Sequence, residues 1–239
     1  MAFGFYQREV SPNELPHPPI SIAVFLVVEN GIRAAWELMR NRPRSGFDLL
    51  RADEDVVTHE LYERLYDDIF DNNVVEGFDR ELLTAVTRES KLRTYDGSHL
   101  DKMPDLLFGL SDRSGVFRRS QDWLFVECKP IDSNHSVGVH YCGKGIIRFV
   151  QGDYAWAMTS ALMIGYVRNG FTISPRLNDA LKISSTIRTI DYPHICHLST
   201  SVPTSEVVQI SRHERTFTYL ETKRSAGAIV IRHLWLKRD

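Results

Sequence analysis

Cysteine is scarce in this 239-residue chain, with three residues (Cys128, Cys142 and Cys196), an odd number at irregular spacing. Such a set implies no disulfide framework, and a reducing, cytoplasmic setting is the expectation. Long apolar runs are missing too. The longest, Ile20 to Val28, is nine residues and is interrupted by Ser21, whereas a bilayer-spanning helix needs about 20. It has no basic stretch before it and starts too far in to read as a signal peptide. Neither G-x-x-x-x-G-K-[ST] nor G-x-G-x-x-G occurs, so nucleotide hydrolysis and dinucleotide binding lack support. Ser-His-Asp chemistry has no recognisable elbow. His194, Cys196 and His197 form one loose group, and His135, His140 and Cys142 another. Neither has the paired spacing of a structural zinc site. Net charge is only −2, which announces no strongly basic surface.

What is present is an ordinary globular composition, 43% apolar and 25% charged, long enough to bury one sizeable core. Charge is unevenly spread. Residues 51–112 carry sixteen acidic and seven basic side chains, and residues 168–239 carry eleven basic and six acidic. That asymmetry permits a nucleic-acid surface towards the C-terminal half, and it equally fits two differently charged solvated faces.

Four prolines (Pro12, Pro16, Pro18, Pro19) mark residues 1–19 as an extended or poorly ordered arm, followed by a single domain over 20–239. Residues 32–40 read as helix, while the apolar run before them fits strand or helix. The clearest amphipathic helix spans 53–71, where Val57, Leu61, Leu65 and Ile69 recur at every fourth position. A more polar helix is expected from Asp79 to Glu89, a loop from Ser133 to Gly145, and a long buried helix from Ile146 to Val167 with Gly170 as its C-cap. Beyond it, Val207–Ile210, Thr216–Leu220 and Ala228–Leu236 read as strands from their β-branched and aromatic content.

Two short apolar segments carry charge where buried strands should have none. Met103-Pro104-Asp105-Leu106-Leu107-Phe108 is followed by Trp123-Leu124-Phe125-Val126-Glu127-Cys128-Lys129, with a polar, Gly-containing stretch between. They read as an antiparallel hairpin with a long loop. Strand alternation puts Glu127 and Lys129 on one face and Cys128 on the other. Desolvating those charges beside Asp105 is costly unless they serve a purpose, and two carboxylates holding a divalent cation, with a lysine alongside, would supply one. The bland alternative is an ion pair on an exposed strand, against which the apolar neighbours of both segments argue.

This spacing resembles the PD-(D/E)xK nuclease superfamily. Pro104-Asp105 matches its first element and Glu127-Cys128-Lys129 its second, over roughly residues 50–170. The resemblance implies an α/β fold with a restriction-endonuclease-like core. A central mixed β-sheet would be flanked by helices, with residues 171–239 a β-rich extension. It implies a Mg²⁺-dependent nuclease (Mn²⁺ substituting) acting on DNA in preference to RNA, in settings such as restriction, phage defence or repair. A homodimer would be compatible, and a catalytically silent module binding nucleic acid or protein is the competing reading.

Within that resemblance Asp105 and Glu127 are the metal ligands, with the Cys128 carbonyl as a further one. Lys129 would orient or deprotonate the attacking water or stabilise developing charge. Many members add a carboxylate from the preceding helix. Glu54 lies on the stripe of Thr58, Leu61 and Leu65 and is the first choice. Glu60, which with Glu63 falls off the stripe towards solvent, is second, and Glu89 third. Gln151 and Tyr154, expected one turn apart on the next helix, and Arg148 and Lys144 are candidate substrate contacts.

Overall fold

The structure, a computed structural model, describes residues 15–111, 119–196 and 207–239. Most of the expected hairpin loop, the start of the N-terminal arm and His197 lie outside the described residues. Four α-helices are present among them: α1 (Ile22–Asn41), α2 (Glu54–Glu63), α3 (Ile147–Gln151) and α4 (Ile173–Lys182). Seven strands accompany them: β1 (Leu83–Arg88), β2 (Leu106–Leu110), β3 (Trp123–Ile131), β4 (Ser160–Val167), β5 (Thr189–Ile195), β6 (Gln209–His213) and β7 (Ile229–Lys237). The strands form one mixed sheet in the order β1-β2-β3-β4-β7-β6-β5. The protein is therefore α/β, a seven-stranded mixed sheet flanked by helices.

The expected hairpin is present. β2 pairs antiparallel with β3, Leu106 opposite Val126 and Gly109 opposite Trp123. β3 then runs on past this pairing to Ile131, beside β4 alone. This uncovered stretch, carrying Glu127 to Ile131, is where the candidate site forms. Parallel pairing of β3 with β4, and of β4 with β7, makes the C-terminal β7 a central strand.

The whole of residues 22–41 is helical, which resolves the ambiguous apolar run. Ser21 caps it by accepting the Val24 N–H, and Gly31 lets the Phe78 ring approach to 2.6 Å from where a Cβ would stand. α2 starts at Asp53, whose carboxylate accepts the Val56 N–H at 2.9 Å, and beyond Glu63 it widens into a π-helical stretch, Arg64–Phe70. In α-geometry an every-fourth stripe drifts about 40° per step. The wider turns offset that drift, and Val57, Leu61, Leu65 and Ile69 are all fully buried. Helices α1 and α2 cover the sheet face bearing Tyr166, which stacks on Trp36 at 5.5 Å and meets the Thr58 hydroxyl at 3.1 Å.

Four expectations fail. Asp79–Glu89 is not a helix: Asp79 accepts the N–H groups of Glu81 and Leu82 in a turn, and β1 follows. Ser133–Gly145 is not a loop, because Ser136 caps a π-helical segment, Val137–Ile146, that runs into α3. Ile146–Val167 is not one helix. Gly152, at φ +83°, ends α3, and a Cβ there would stand 2.8 Å from Phe217 and Tyr95. All eight residues of β4 are buried, and an interior parallel strand shows the same unbroken apolar run as a buried helix. Thr216–Leu220 forms only the isolated bridge Thr218–Ser225. Nearby, buried Arg215 donates to the carbonyls of Gly227, Ala155, Trp156 and Met158, which ties this segment down without a strand.

The described end of the N-terminal arm is tied down too. The His17 N–H donates to the Ala157 carbonyl at 2.7 Å and the His17 side chain is buried.

Candidate active site

Asp105 precedes β2 at the point where that strand parts from β3. Its Oδ2 accepts the Cys128 N–H at 2.6 Å, a donor that a continued β2 would otherwise have to satisfy. The carboxylate is thus placed by the end of a ladder rather than by a turn at the surface. On β3, Glu127 and Lys129 share the face covered by Val137–Ile146, with a Cβ on Gly145 3.4 Å from Lys129 Cγ and 2.5 Å from Met163 Cε. Cys128 points the other way and is fully buried, and burial pushes its thiol well up, so the side chain carries no chemistry here.

Glu54, in the first turn of α2, enters the uncovered stretch of β3. Lys129 Nζ lies 2.7 Å from Glu54 Oε1, 3.0 Å from Glu127 Oε1 and 3.6 Å from Asp105 Oδ2. Three carboxylates from three separate elements therefore converge on one ammonium. Lys129 also donates to the Cys128 carbonyl at 2.6 Å, so the carbonyl expected as a metal ligand is engaged by the lysine instead.

Burial dominates the electrostatics. Glu127 is 2% exposed, and desolvation, reinforced by Asp105, pushes its carboxyl up to about 8. Desolvation also raises the Glu54 carboxyl, against the pull of Lys129. Burial alone would discharge Lys129, but Glu127, Asp105 and Glu54 together hold its ammonium above the ordinary lysine range. Lys129 stays cationic between Glu54 and Asp105, while Glu127 keeps a proton near neutral pH. Glu127 Oε2 is buried with no hydrogen-bond partner among the described residues. An orphaned carboxylate oxygen at this depth is the atom that a bound cation or a proton would satisfy.

Arg148 completes the wall. Its Nε lies 3.3 Å from Glu127 Oε1, and its guanidinium donates to the Tyr154 hydroxyl at 2.9 Å. Tyr154 in turn donates to the Met103 carbonyl at 2.6 Å, which anchors the Pro104-Asp105 turn. Lys144 and Gln151 are exposed on the same helical arm, Lys144 linked only through its carbonyl to Arg148 Nε. Gln151 and Tyr154 do not share a helix face, because α3 stops at Gly152.

The other carboxylates considered from the sequence lie elsewhere. Glu60 is buried, not solvated, and accepts from Arg64 Nε at 2.8 Å. Glu63 pairs with Arg44, and Glu89 with Arg88 outside the cluster. Among the described residues no three His, Cys, Asp or Glu side chains form a ready metal-coordinating group, and it is Lys129 Nζ that fills the centre of the three carboxylates.

Two contributors escaped the sequence reading. Arg238, the second-last residue, donates to the Leu49 and Ala52 carbonyls just before the Asp53 cap, which fixes the start of α2 and with it Glu54. Asp132 and His135, directly after β3, form a hydrogen-bonded pair at 2.9 Å, and their three-residue spacing beside the strand was the available signal.

Among the described residues no helix is long and apolar enough to cross a membrane. Compared with models of protein families, with curated proteins and with solved structures, the chain matches none.

Proposed function

We propose that this protein is a divalent-metal-dependent nuclease of the PD-(D/E)xK type, with a restriction-endonuclease-like core, that hydrolyses phosphodiester bonds in DNA rather than RNA. The observation that carries the reading is the convergence of Asp105, Glu127 and Glu54 on Lys129 where β3 outruns β2. Chemically ordinary structural roles account poorly for it. A structural ion pair needs one carboxylate, whereas here three are gathered and one oxygen of the most deeply buried is left unpartnered.

The donor set fits Mg²⁺ or Mn²⁺: hard carboxylate oxygens, partly accessible, with room for phosphate and water oxygens. Asp105 and Glu127 would hold the ion, with Glu54 from the third side. When bound, it would supply charge stabilisation at the phosphoryl oxygens and acidify a water. Lys129, already among these carboxylates, is placed to hold the attacking water by hydrogen bond or to offset the charge that builds on phosphorus. Arg148, whose guanidinium Glu127 keeps charged, can receive a non-bridging phosphate oxygen, with exposed Lys144 further along the helix for the flanking backbone. The Arg148–Tyr154–Met103 chain of hydrogen bonds keeps that cation in register with Asp105.

The test is direct. Purified protein is incubated with supercoiled plasmid, linear duplex and single-stranded DNA and RNA, with Mg²⁺, Mn²⁺ or EDTA, beside Lys129→Ala and Asp105→Asn. Metal-dependent cutting of DNA that both changes abolish is the expected result. Binding without cutting in every condition would support a silent nuclease-fold module instead, and inertness towards all nucleic acids would sink both readings.

A further inference from the structure

Beyond Lys129, β3 ends in a turn that carries a second set of titratable groups, unused in the scheme above. Asp132 Oδ1 accepts the N–H groups of Asn134 at 2.8 Å and His135 at 2.9 Å, and the same oxygen lies 2.9 Å from His135 Nδ1. The two backbone contacts fix the carboxylate, so it in turn fixes the ring. An imidazole whose Nδ1–H is taken by a carboxylate has a defined tautomer, with Nε2 left as its working nitrogen. His140 packs edge-on against this ring, centroids 5.0 Å apart and planes at 78°, which restricts its rotation.

The pair stands at the site, not across the molecule. The turn follows Lys129 by three residues, and His135 is near enough to Glu54 for its charge to favour the Glu54 carboxylate. The His135 side chain is 41% exposed, against 11% for that of Lys129, so it borders the opening while the lysine lies at the floor. Asp132 is held below the usual carboxylate range: burial raises it, but the hydrogen bond from His135 and those from the backbone win.

Phosphodiester hydrolysis has a proton requirement that the carboxylate cluster leaves unmet. The departing sugar oxygen is a poor leaving group unless it is protonated as the bond breaks. Lys129 is committed to the water side, Arg148 stays charged, and the Tyr154 hydroxyl already donates to Met103.

We propose that His135, positioned by Asp132, is the general acid that protonates the leaving oxygen. The water oxygen forms its bond to phosphorus, and the bond from phosphorus to the leaving oxygen breaks with its electron pair going to that oxygen. The proton on His135 Nε2 moves onto it. The proton lost by the attacking water passes to solvent, from which His135 is recharged. The proposal rests on the nuclease reading.

The test uses the full-length protein, a DNA duplex that the wild type cuts, and the same duplex with sulfur replacing the leaving bridging oxygen. A thiolate departs without protonation. His135→Gln should slow cutting of the oxygen substrate by about 10²–10⁴-fold and that of the sulfur substrate by less than about tenfold. Asp132→Asn should show a smaller loss with the same selective rescue, as expected of a positioning residue. Duplex binding in EDTA should be unchanged in both variants, which separates loss of proton transfer from loss of the folded site. Equal losses on the two substrates, or no loss on either, would overturn the role of His135 while leaving the nuclease reading intact. A wild type that cuts no nucleic acid in Mg²⁺ or Mn²⁺ would remove both.

Discussion

Lys129 Nζ bridges Glu54 Oε1 at 2.7 Å and Glu127 Oε1 at 3.0 Å, which joins α2 to β3 through one buried cation. Arrangement around this ammonium sets both the chemistry proposed for the site and its cost in stability.

Replacing Lys129 by Met keeps the length of the side chain and removes the charge. Three carboxylates then face one another with only Arg148 nearby. The metal-free variant should lose about 3–5 kcal/mol at pH 8, the usual cost of breaking a buried pair. Millimolar Mn²⁺ should restore part of it, and the loss should shrink at pH 5, where the carboxyls protonate. Urea unfolding at the two pH values, with and without Mn²⁺, reads all three effects. Equal stability of variant and wild type at pH 8 would contradict the ion cluster described here.

Glu127 gives a pH signature with a definite sign. Its carboxyl sits at about 8 in the folded protein against a model value of 4.5. Between these two values the folded chain keeps a proton that the unfolded chain has released. The Glu127 contribution is therefore fully present below about 4.5 and is lost as pH rises towards about 8. Glu127→Gln cannot titrate, so its stability relative to wild type should climb across that window by a few kcal/mol, at about 1.4 kcal/mol per pKa unit, and then level off. Thermal or urea unfolding from pH 4 to 9 checks the slope. A flat difference would show that Glu127 titrates normally.

Asp105 has two separable duties, to satisfy the Cys128 N–H and to present a carboxylate to the site. Asp105→Asn retains an acceptor oxygen and should fold with a loss near 1 kcal/mol or less, while Asp105→Ala leaves a buried N–H without a partner and should lose about 1–3 kcal/mol. Both should be inactive as nucleases. If the two variants are equally stable, the Asp105–Cys128 bond does not support the β2–β3 junction.

Arg238 is 5% exposed and donates to the Leu49 and Ala52 carbonyls. Arg238→Ala should cost about 1.5–3 kcal/mol, the range for hydrogen bonds from a charged group. It should also accelerate amide exchange in residues 49–57, and lower nuclease activity by displacing Glu54. Exchange confined to the C-terminal strand itself would argue against this link.

The parts of the molecule legible from sequence are those with short-range periodicity. Alternation in 123–129 placed Glu127 and Lys129 together and Cys128 opposite them, because a strand has no other way to arrange successive side chains. The four-residue stripe Val57–Leu61–Leu65–Ile69 exposed the inward side of α2, and Glu54 on that side does reach Lys129. Where periodicity was lacking, the reading failed. Residues 160–167 are apolar at nearly every position because both faces of β4 are covered, and nothing local distinguishes such a strand from a buried helix. Glu60 looked solvated on the helical wheel, yet Arg44 and Arg64 come over it and bury it, a contact that a wheel cannot show.

By itself, then, the sequence determined the hairpin, the face shared by Glu127 and Lys129, and the inward side of α2, all consequences of backbone geometry over a few residues. Tertiary structure alone decided that β3 would outrun β2, that Arg148 would reach Glu127, and that the penultimate Arg238 would hold the chain before Glu54. Each of these joins residues far apart in the chain, and such pairings are chosen by which surfaces must be buried together, which no local pattern of side chains specifies.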